Sequence, residues 1–205
     1  MANRKLLLVS YQFPPVGGIP VQRALSLARY LPEEGWTIHV LTAANPSVPT
    51  LDPGLLSRVP KTVRITRTFT PEIPYRWKQA IWKMLGGSKK AQQQVATPEA
   101  KSHPTTSGVM GRLRGLFNPD PEVVWVPFAI RAARRIMRRE EIGTVLVTAP
   151  PFSSFLVGLA LKREFPHLRL VADFRDEWLD FYLSAFDFYR NNEAIRRRSA
   201  GIERA

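Results

Sequence analysis

The chain has 205 residues, of which 44% are hydrophobic, and a formal net charge of +13 at pH 7. This length and composition indicate one globular domain with a hydrophobic core. The sequence contains no cysteine, which excludes a disulfide framework, a thiolate zinc site and a cysteine nucleophile. Its apolar runs are shorter than a signal peptide or a membrane span requires. We therefore expect a cytoplasmic protein that is soluble or lies on the inner face of a membrane.

The positive charge is concentrated in the middle of the chain. Residues 61–140 hold 16 Lys and Arg against 5 Asp and Glu, and the rest of the chain holds 14 against 12. Such a region either attracts polyanions and anionic lipid head groups or forms an ordinary solvated surface. The sequence has no helix-turn-helix, RNA-recognition or zinc pattern, so we do not expect specific nucleic-acid binding.

The first elements follow a strand–helix–strand order. Residues 5–9, "KLLLV", predict a strand that is buried on both faces. Residues 19–31 carry apolar side chains, Ile19 among them, at helical spacing, and strands are predicted at 36–43 and 63–68. The short return from this helix to the next strand indicates a βαβ unit and a parallel sheet.

The same alternation returns after residues 86–111, a stretch without aromatic residues or apolar periodicity that predicts a mobile insertion. A helix from about Pro127 is predicted to place Phe128, Ala132 and Ile136 on one side. The elements that follow are a strand at 143–149, a loop and helix at 150–165, and a strand at 168–174. The sequence therefore predicts a single α/β domain over residues 1–205. Its core is a Rossmann-like, doubly wound, mostly parallel sheet with helices on both faces.

Unusual segments follow three of these strands, and ligands bind outside the carboxyl ends of strands in such sheets. After the first strand, Gly17 and Gly18 indicate either a loop that a phosphate or sugar approaches closely or an ordinary structural turn. Arg23, early in the helix, points either into the cleft or into solvent. The spacing differs from that of a dinucleotide-binding loop.

The second and third segments are polar as well. In "TAPPFSS", Pro151 and Ser153 stand at the start of a helix, where capping is the simplest role for the serine. In "DFRDEW", Asp173 and Asp176 are candidates for accepting a proton or a hydrogen bond from a hydroxyl, and they flank Arg175. The alternative for this segment is an Arg–Asp pair that ties two loops together. Trp178 either lines an acceptor pocket or packs, and the three scattered histidines form no metal site.

Taken in order, these segments resemble the amino-terminal half of bacterial family 4 glycosyltransferases, which are retaining enzymes of the two-Rossmann-domain type. The stretches that carry the resemblance are "LLLVSYQFPPVGGIPVQRALSLARYLPEEGWTIHVLTA", "NPDPEVVWVPFAIRAARRI", "VLVTAPPFSSFLVGLALKREFP" and "LVADFRDEW". The resemblance covers most of the chain except residues 45–115.

The resemblance implies a domain that supplies the acceptor side of an interdomain cleft. The Gly17–Gly18 loop then approaches the donor's diphosphate or the acceptor, and residues 173–178 lie in the acceptor region. Pro151, Ser153 and Phe155 join the residues that contact donor or acceptor. The donor is a nucleotide-sugar, and the resemblance implies neither a separate cofactor nor a metal.

Two departures from the family pattern affect the expected activity. Phe155 stands where many relatives have a histidine that faces the transferred sugar. The sequence also ends before the second domain, which in relatives holds most of the nucleotide-sugar. We therefore expect no measurable transfer by this chain alone and a need for the missing domain or a partner chain. A second copy of the chain, bound through an exposed sheet edge, is the other partner that the sequence suggests.

A basic, tryptophan-containing stretch at residues 74–87 indicates a further contact. Trp77 and Trp82, flanked by Lys78 and Lys83, are typical of a helix that lies on an anionic membrane surface. The alternative is an amphipathic helix packed on the sheet. Two functions thus remain open: the acceptor-binding half of a transferase, or a catalytically silent module that binds a glycan, a lipid or a partner protein.

Overall fold

The computed structural model of the chain describes residues 4–75, 77, 80, 119–176, 197 and 200–202. The predicted insertion at residues 86–111 lies outside the described residues. Five strands form one sheet: β1 Lys5–Val9, β2 Thr37–Ala43, β3 Arg64–Thr68, β4 Thr144–Ala149 and β5 Arg169–Phe174. All neighbouring strands are parallel, in the order β3-β2-β1-β4-β5. This confirms the predicted α/β, Rossmann-like sheet.

Helices α1 Gln22–Tyr30, α2 Val126–Glu140 and α3 Ser154–Glu164 lie in the connections between the strands. The connections also hold 3₁₀ helices at Ile19–Val21, Pro53–Arg58 and Pro121–Trp125. The predicted strands end where the observed strands end, and they begin at most one residue too early. Within the described residues, no helix is long and apolar enough to cross a membrane.

The central strand β1 has side chains buried on both faces, as its apolar run predicts. Leu7 and Val9 pack in a core with α2 and α3. Leu6 and Leu8 pack in a second core with α1 on the opposite face. The helices therefore cover both faces of the sheet, and β1 lies between the two cores.

Two predicted helix faces are wrong in detail. Ile19 belongs to a 3₁₀ turn ahead of α1 and is 88% exposed. Phe128 is exposed and Ala132 is only partly buried, because the buried side of α2 runs through Ala129 and Ala133 together with Ile136, which was predicted. The helix begins one residue earlier than expected, at Val126, which is itself buried. Apolar spacing alone did not distinguish the two sides.

Candidate functional site

The sheet has a switch point between β1 and β4. From β1 the chain passes to α1 on one face, and from β4 it passes to α3 on the other face. Loops that leave neighbouring strands toward opposite faces open a crevice at the carboxyl edge of the sheet, where ligands bind in folds of this class. We call the opening between the loops after β1 and β4 the crevice.

The loop after β1 reaches the crevice through two glycines. The amide of Gly17 donates a hydrogen bond to the Thr50 carbonyl at 3.1 Å. A Cβ at Gly17 would lie 3.1 Å from the Cβ of Asp52, so the two loops approach each other closely here. Gly18 has φ +87°, a conformation that residues with a side chain rarely adopt. The two glycines therefore satisfy requirements of the loop itself.

An ion pair crosses the crevice from α1 to β5. The Arg23 guanidinium donates from Nε to Oδ2 of Asp173 at 3.1 Å and from Nη2 to Oδ1 at 3.0 Å. Thr148, at the end of β4, donates its hydroxyl to the same Oδ2 at 2.9 Å. The hydrogen bonds and charge of Asp173 raise the pKa of Arg23. The pair thus joins residues that are 150 positions apart in the sequence.

Arg175 forms a second connection between the same loops. Its guanidinium donates to three backbone carbonyls: Pro20 at 2.5 Å, Ala149 at 3.0 Å and Pro150 at 2.6 Å. Burial lowers the pKa of Arg175, and the nearby carboxylates partly offset this effect. Because Pro20 precedes α1 and the other two residues follow β4, Arg175 holds both walls of the crevice. Both arginines therefore join loops, Arg23 through an ion pair with Asp173 and Arg175 through backbone carbonyls.

The loop after β4 presents little of its side-chain chemistry to solvent. Pro151, Ser153 and Phe155 are all buried. The Phe155 ring packs on Phe174 at a centroid distance of 4.4 Å. Ser153 occupies the position before α3, but its side chain makes no capping hydrogen bond. In the described residues these three side chains pack beneath the edge of the sheet, and they do not line the crevice.

The start of α3 is capped instead by Asp120, a residue that sequence reasoning did not select. Its Oδ2 accepts a hydrogen bond from the Ser153 amide at 2.8 Å. The Phe152 amide also donates a hydrogen bond to the Asp120 carboxylate. Desolvation, followed by the charge of Glu122, raises the pKa of Asp120 to about 7, although hydrogen bonds from Ser153 and Phe152 oppose this shift. The amides at this helix start therefore already have an internal acceptor.

Of the remaining residues that the sequence predicted for a site, the structure describes two. Asp176 is exposed at the carboxyl edge and acts on Arg175 through its charge. Trp77 is 58% exposed. Lys78, Trp82, Lys83 and Trp178 lie outside the described residues. Across residues 4–75 and 119–176 no group of three His, Cys, Asp or Glu side chains could hold a metal ion.

A second polar network lies at the carboxyl edge of β1–β3, and it too was missed from the sequence. The Trp125 indole donates to the Thr68 hydroxyl at 2.7 Å, and its ring meets Tyr11 edge to face at 5.3 Å. The Tyr11 hydroxyl donates to the Glu72 carboxylate. Tyr11 and Trp125 are buried, so this network fixes the loop after β3 against the start of α2.

Comparison with known proteins finds solved structures that are weakly similar to this chain. No family model matches the chain, and no curated protein matches it. A structure of apo UGT2 from Phytolacca americana is similar over 83% of this chain and 29% of its own, with 10% identity and a TM-score of 0.43. A Polygonum tinctorium UDP-glucosyltransferase capable of glucosylating indoxyl, in complex with 3,4-dichloroaniline, is similar over 94% of this chain and 34% of its own. Its identity is 14% and its TM-score 0.42.

The chain thus spans about a third of the length of these two structures. At such low identities and TM-scores, the likeness assigns neither an activity nor a substrate to the chain.

Proposed function

We propose that the chain is the acceptor-binding, amino-terminal half of a retaining glycosyltransferase. In this proposal a sugar passes from a nucleotide-sugar donor to a glycan or a lipid-linked acceptor. The observation that carries the proposal is the meeting of three motif segments, residues 17–23, 148–150 and 173–176, at one crevice. In the sequence the first segment lies more than a hundred residues before the other two, and a common site would account for the unusual residues in all three.

Each segment has a distinct role in this proposal. The Gly17–Gly18 loop brings main chain close to the donor's diphosphate or to the acceptor. Arg23 supplies positive charge at the opening of the crevice, where its side chain is 58% exposed. Asp173 and the exposed Asp176 accept hydrogen bonds from acceptor hydroxyls. Oriented cations that stabilise a leaving diphosphate are a recurring device of such transfers and require no separate metal.

The proposal is tested by titrating isotope-labelled protein with UDP-glucose, GDP-mannose and a neutral disaccharide while the amide resonances are followed. We expect shifts confined to residues 17–23, 148–150 and 173–176. Asp176→Asn should weaken the binding of whichever compound carries the acceptor hydroxyls, since an amide accepts less strongly than a carboxylate. Arg139→Gln, which alters the exposed face of α2, serves as control. Shifts confined to the opposite edge of the sheet, or none with any compound, would contradict the proposal.

A second candidate is a peripheral contact with an anionic membrane. Exposed aromatic side chains stand near the start of α2, where Phe69 and Phe128 meet edge to face at 5.7 Å. Trp77 is exposed as well. Along the outer face of α2, Arg131, Arg135 and Arg139 recur at every fourth residue and are exposed. Exposed aromatics beside a row of cations suit the head-group region of a bilayer.

Vesicle flotation tests this second candidate. Each arginine near an anionic surface contributes about 1 kcal/mol, so Arg131→Gln with Arg135→Gln should lower partition into phosphatidylglycerol vesicles by roughly thirtyfold. The matched control is Arg134→Gln with Arg138→Gln, because both of these arginines already pair with Glu164. Equal losses in the two double variants, or equal binding to neutral vesicles, would contradict a membrane contact through this face.

A further inference from the structure

Arg23 and Asp173 differ in how far they are exposed. The Arg23 side chain is 58% exposed, whereas that of Asp173 is 14% exposed. The carboxylate is held from below by the Thr148 hydroxyl, and the guanidinium reaches over it from α1. A solute that enters the crevice would therefore meet the guanidinium before it meets the carboxylate.

Two cations, Arg23 and Arg175, and two carboxylates, Asp173 and Asp176, lie at the crevice. Arg175 stands close enough to Arg23 for the two guanidiniums to repel each other, and Asp173 and Asp176 both attract Arg175. Arg175 is fixed by three backbone carbonyls. Arg23 is held to the opposite wall by Asp173, through two parallel hydrogen bonds. Arg23 is thus the cation of the crevice that can change partner without breaking the loop contacts made by Arg175.

We propose that the Asp173 carboxylate is an internal place-holder on Arg23, and that a phosphate-bearing ligand displaces it when it enters the crevice. The fork of the guanidinium binds carboxylate and phosphate with the same two-bond geometry. The ligand thus takes over the two bonds that now run from Arg23 to Asp173, and Asp173 keeps its bond from Thr148. This inference deepens the proposed function and rests on it for the identity of the ligand as a nucleotide-sugar or a phosphorylated acceptor.

A phosphate suits this exchange better than a carboxylate does. Asp173 is part of the same molecule, so it competes at the high effective concentration of a tethered group. A ligand carboxylate would only exchange one single charge for another. A phosphate monoester, or the diphosphate of a nucleotide-sugar as a whole, carries about two negative charges and several strong acceptor oxygens, so it can outcompete the tethered carboxylate. A phosphate also has oxygens left over for Arg175, whose guanidinium stands nearby.

The exposure of the pair sets the size of the expected effect. Exposed ion pairs contribute little, and losing the competitor should raise ligand affinity about twofold to fivefold. Losing the guanidinium removes hydrogen bonds to a charged group, for which we expect a loss of about tenfold or more. The two changes thus act in opposite directions, although both break the same ion pair.

The experiment measures the affinity of inorganic pyrophosphate by calorimetry. We expect Arg23→Gln to weaken binding at least about tenfold and Asp173→Asn to strengthen it about twofold to fivefold. Arg29→Gln is the matched control, because it removes the same charge from the far end of α1. Malonate should bind more weakly than pyrophosphate to the unaltered protein. Equal weakening by Arg23→Gln and Arg29→Gln, an unchanged or lower affinity in Asp173→Asn, or equal binding of malonate would each overturn the proposal.

A measurement on the unaltered chain covers the case in which a variant fails to fold. Pyrophosphate should shift the Nε–Hε resonance of Arg23 and leave that of Arg29 in place, and the reverse result contradicts the proposal. UDP-glucose separates this inference from the proposed function. If UDP-glucose binds at the crevice with an affinity that Asp173→Asn leaves unchanged, only the place-holder role fails. If pyrophosphate follows the expected pattern but no nucleotide-sugar shifts the crevice, the transferase proposal fails instead.

Discussion

The two walls of the crevice differ in the charged groups that they expose to solvent. The wall that leads into α1 has a glycine at φ +87° and an arginine whose side chain is 58% exposed. The wall that leads into α3 is closed, because Ser153 and Ser154 are fully buried and the buried Asp120 supplies the acceptor for the Ser153 amide. Both walls end in a helix start, yet only the first presents charged chemistry to solvent.

This difference shows that a helix start at a carboxyl edge is not in itself a ligand site. The amides that open α3 already bind a carboxylate of the same chain, so the Ser153 amide is not available to an entering anion. The α1 wall holds its cation through an exposed pair that solvent can reach. We therefore expect substitutions on the α3 wall to change stability and substitutions on the α1 wall to change binding.

The largest effect should come from Asp120→Ala. The substitution leaves the buried amides of Ser153 and Phe152 without their acceptor. An unsatisfied buried amide costs about 1–3 kcal/mol, so we expect a loss of about 2–4 kcal/mol in the free energy of unfolding. Urea denaturation at pH 6 measures this loss. Asp52→Ala, which removes an exposed cap from the Gly54 amide, is the control and should cost less.

Asp120 should also make stability depend on pH. Its pKa is raised to about 7 in the folded chain from 3.8, so between these values the folded state binds more protons than the unfolded state does. Stability therefore falls as the pH rises from about 4 to 7 and levels off above that range. Asp120→Asn keeps an acceptor oxygen and cannot ionise. The free energy of unfolding of this variant, relative to that of the unaltered protein, should therefore increase as the pH rises over this interval. Parallel pH profiles of the two proteins would disprove the assignment.

On the α1 wall, Gly18→Val should cost less stability but disturb binding. A valine at φ +87° stores about 1–3 kcal/mol of backbone strain. The distorted turn displaces Pro20 and Arg23, so pyrophosphate affinity should fall together with the melting temperature. Gly201→Ala is the control, since a Cβ at Gly201 meets no atom within 4 Å. Normal pyrophosphate affinity in Gly18→Val would show that the loop does not position the site.

The sequence predicted most of the fold because the signals for it are local. The run at Lys5–Val9 is apolar at each position that the sheet buries, and the strand bounds follow from it. The inward faces of the helices were harder to predict, as Phe128 shows. It is apolar and has helical spacing, yet it lies exposed and meets the ring of Phe69 instead of the core. The period of a helix predicts that a buried face exists, but small residues such as Ala129 and Ala133 decide where it lies.

The partners within the crevice could not be predicted in the same way. The sequence indicated that Asp173, Arg175 and the glycine loop share one edge of the sheet. It could not show that Asp173 pairs with Arg23, since that depends on α1 reaching over β4 to β5. Asp120 was missed because its carboxylate caps a helix 33 positions away. In "NPDPEVVW" it resembles an ordinary turn residue between two prolines, and only its burial distinguishes it.

The smallest expected change in stability belongs to Arg23→Gln, and it bears most directly on the contrast between the walls. The ion pair with Asp173 is largely open to solvent on the arginine side. Exposed pairs contribute about 0.2–1 kcal/mol, and salt screens them, so the loss should stay below about 1 kcal/mol and shrink at high ionic strength. Urea denaturation of Arg23→Gln and Arg29→Gln at low and high salt measures both quantities. A loss above about 2 kcal/mol that salt leaves unchanged would mean that Arg23 is a structural link like those of the α3 wall. An arginine that stabilises the fold so strongly could not exchange Asp173 for a ligand.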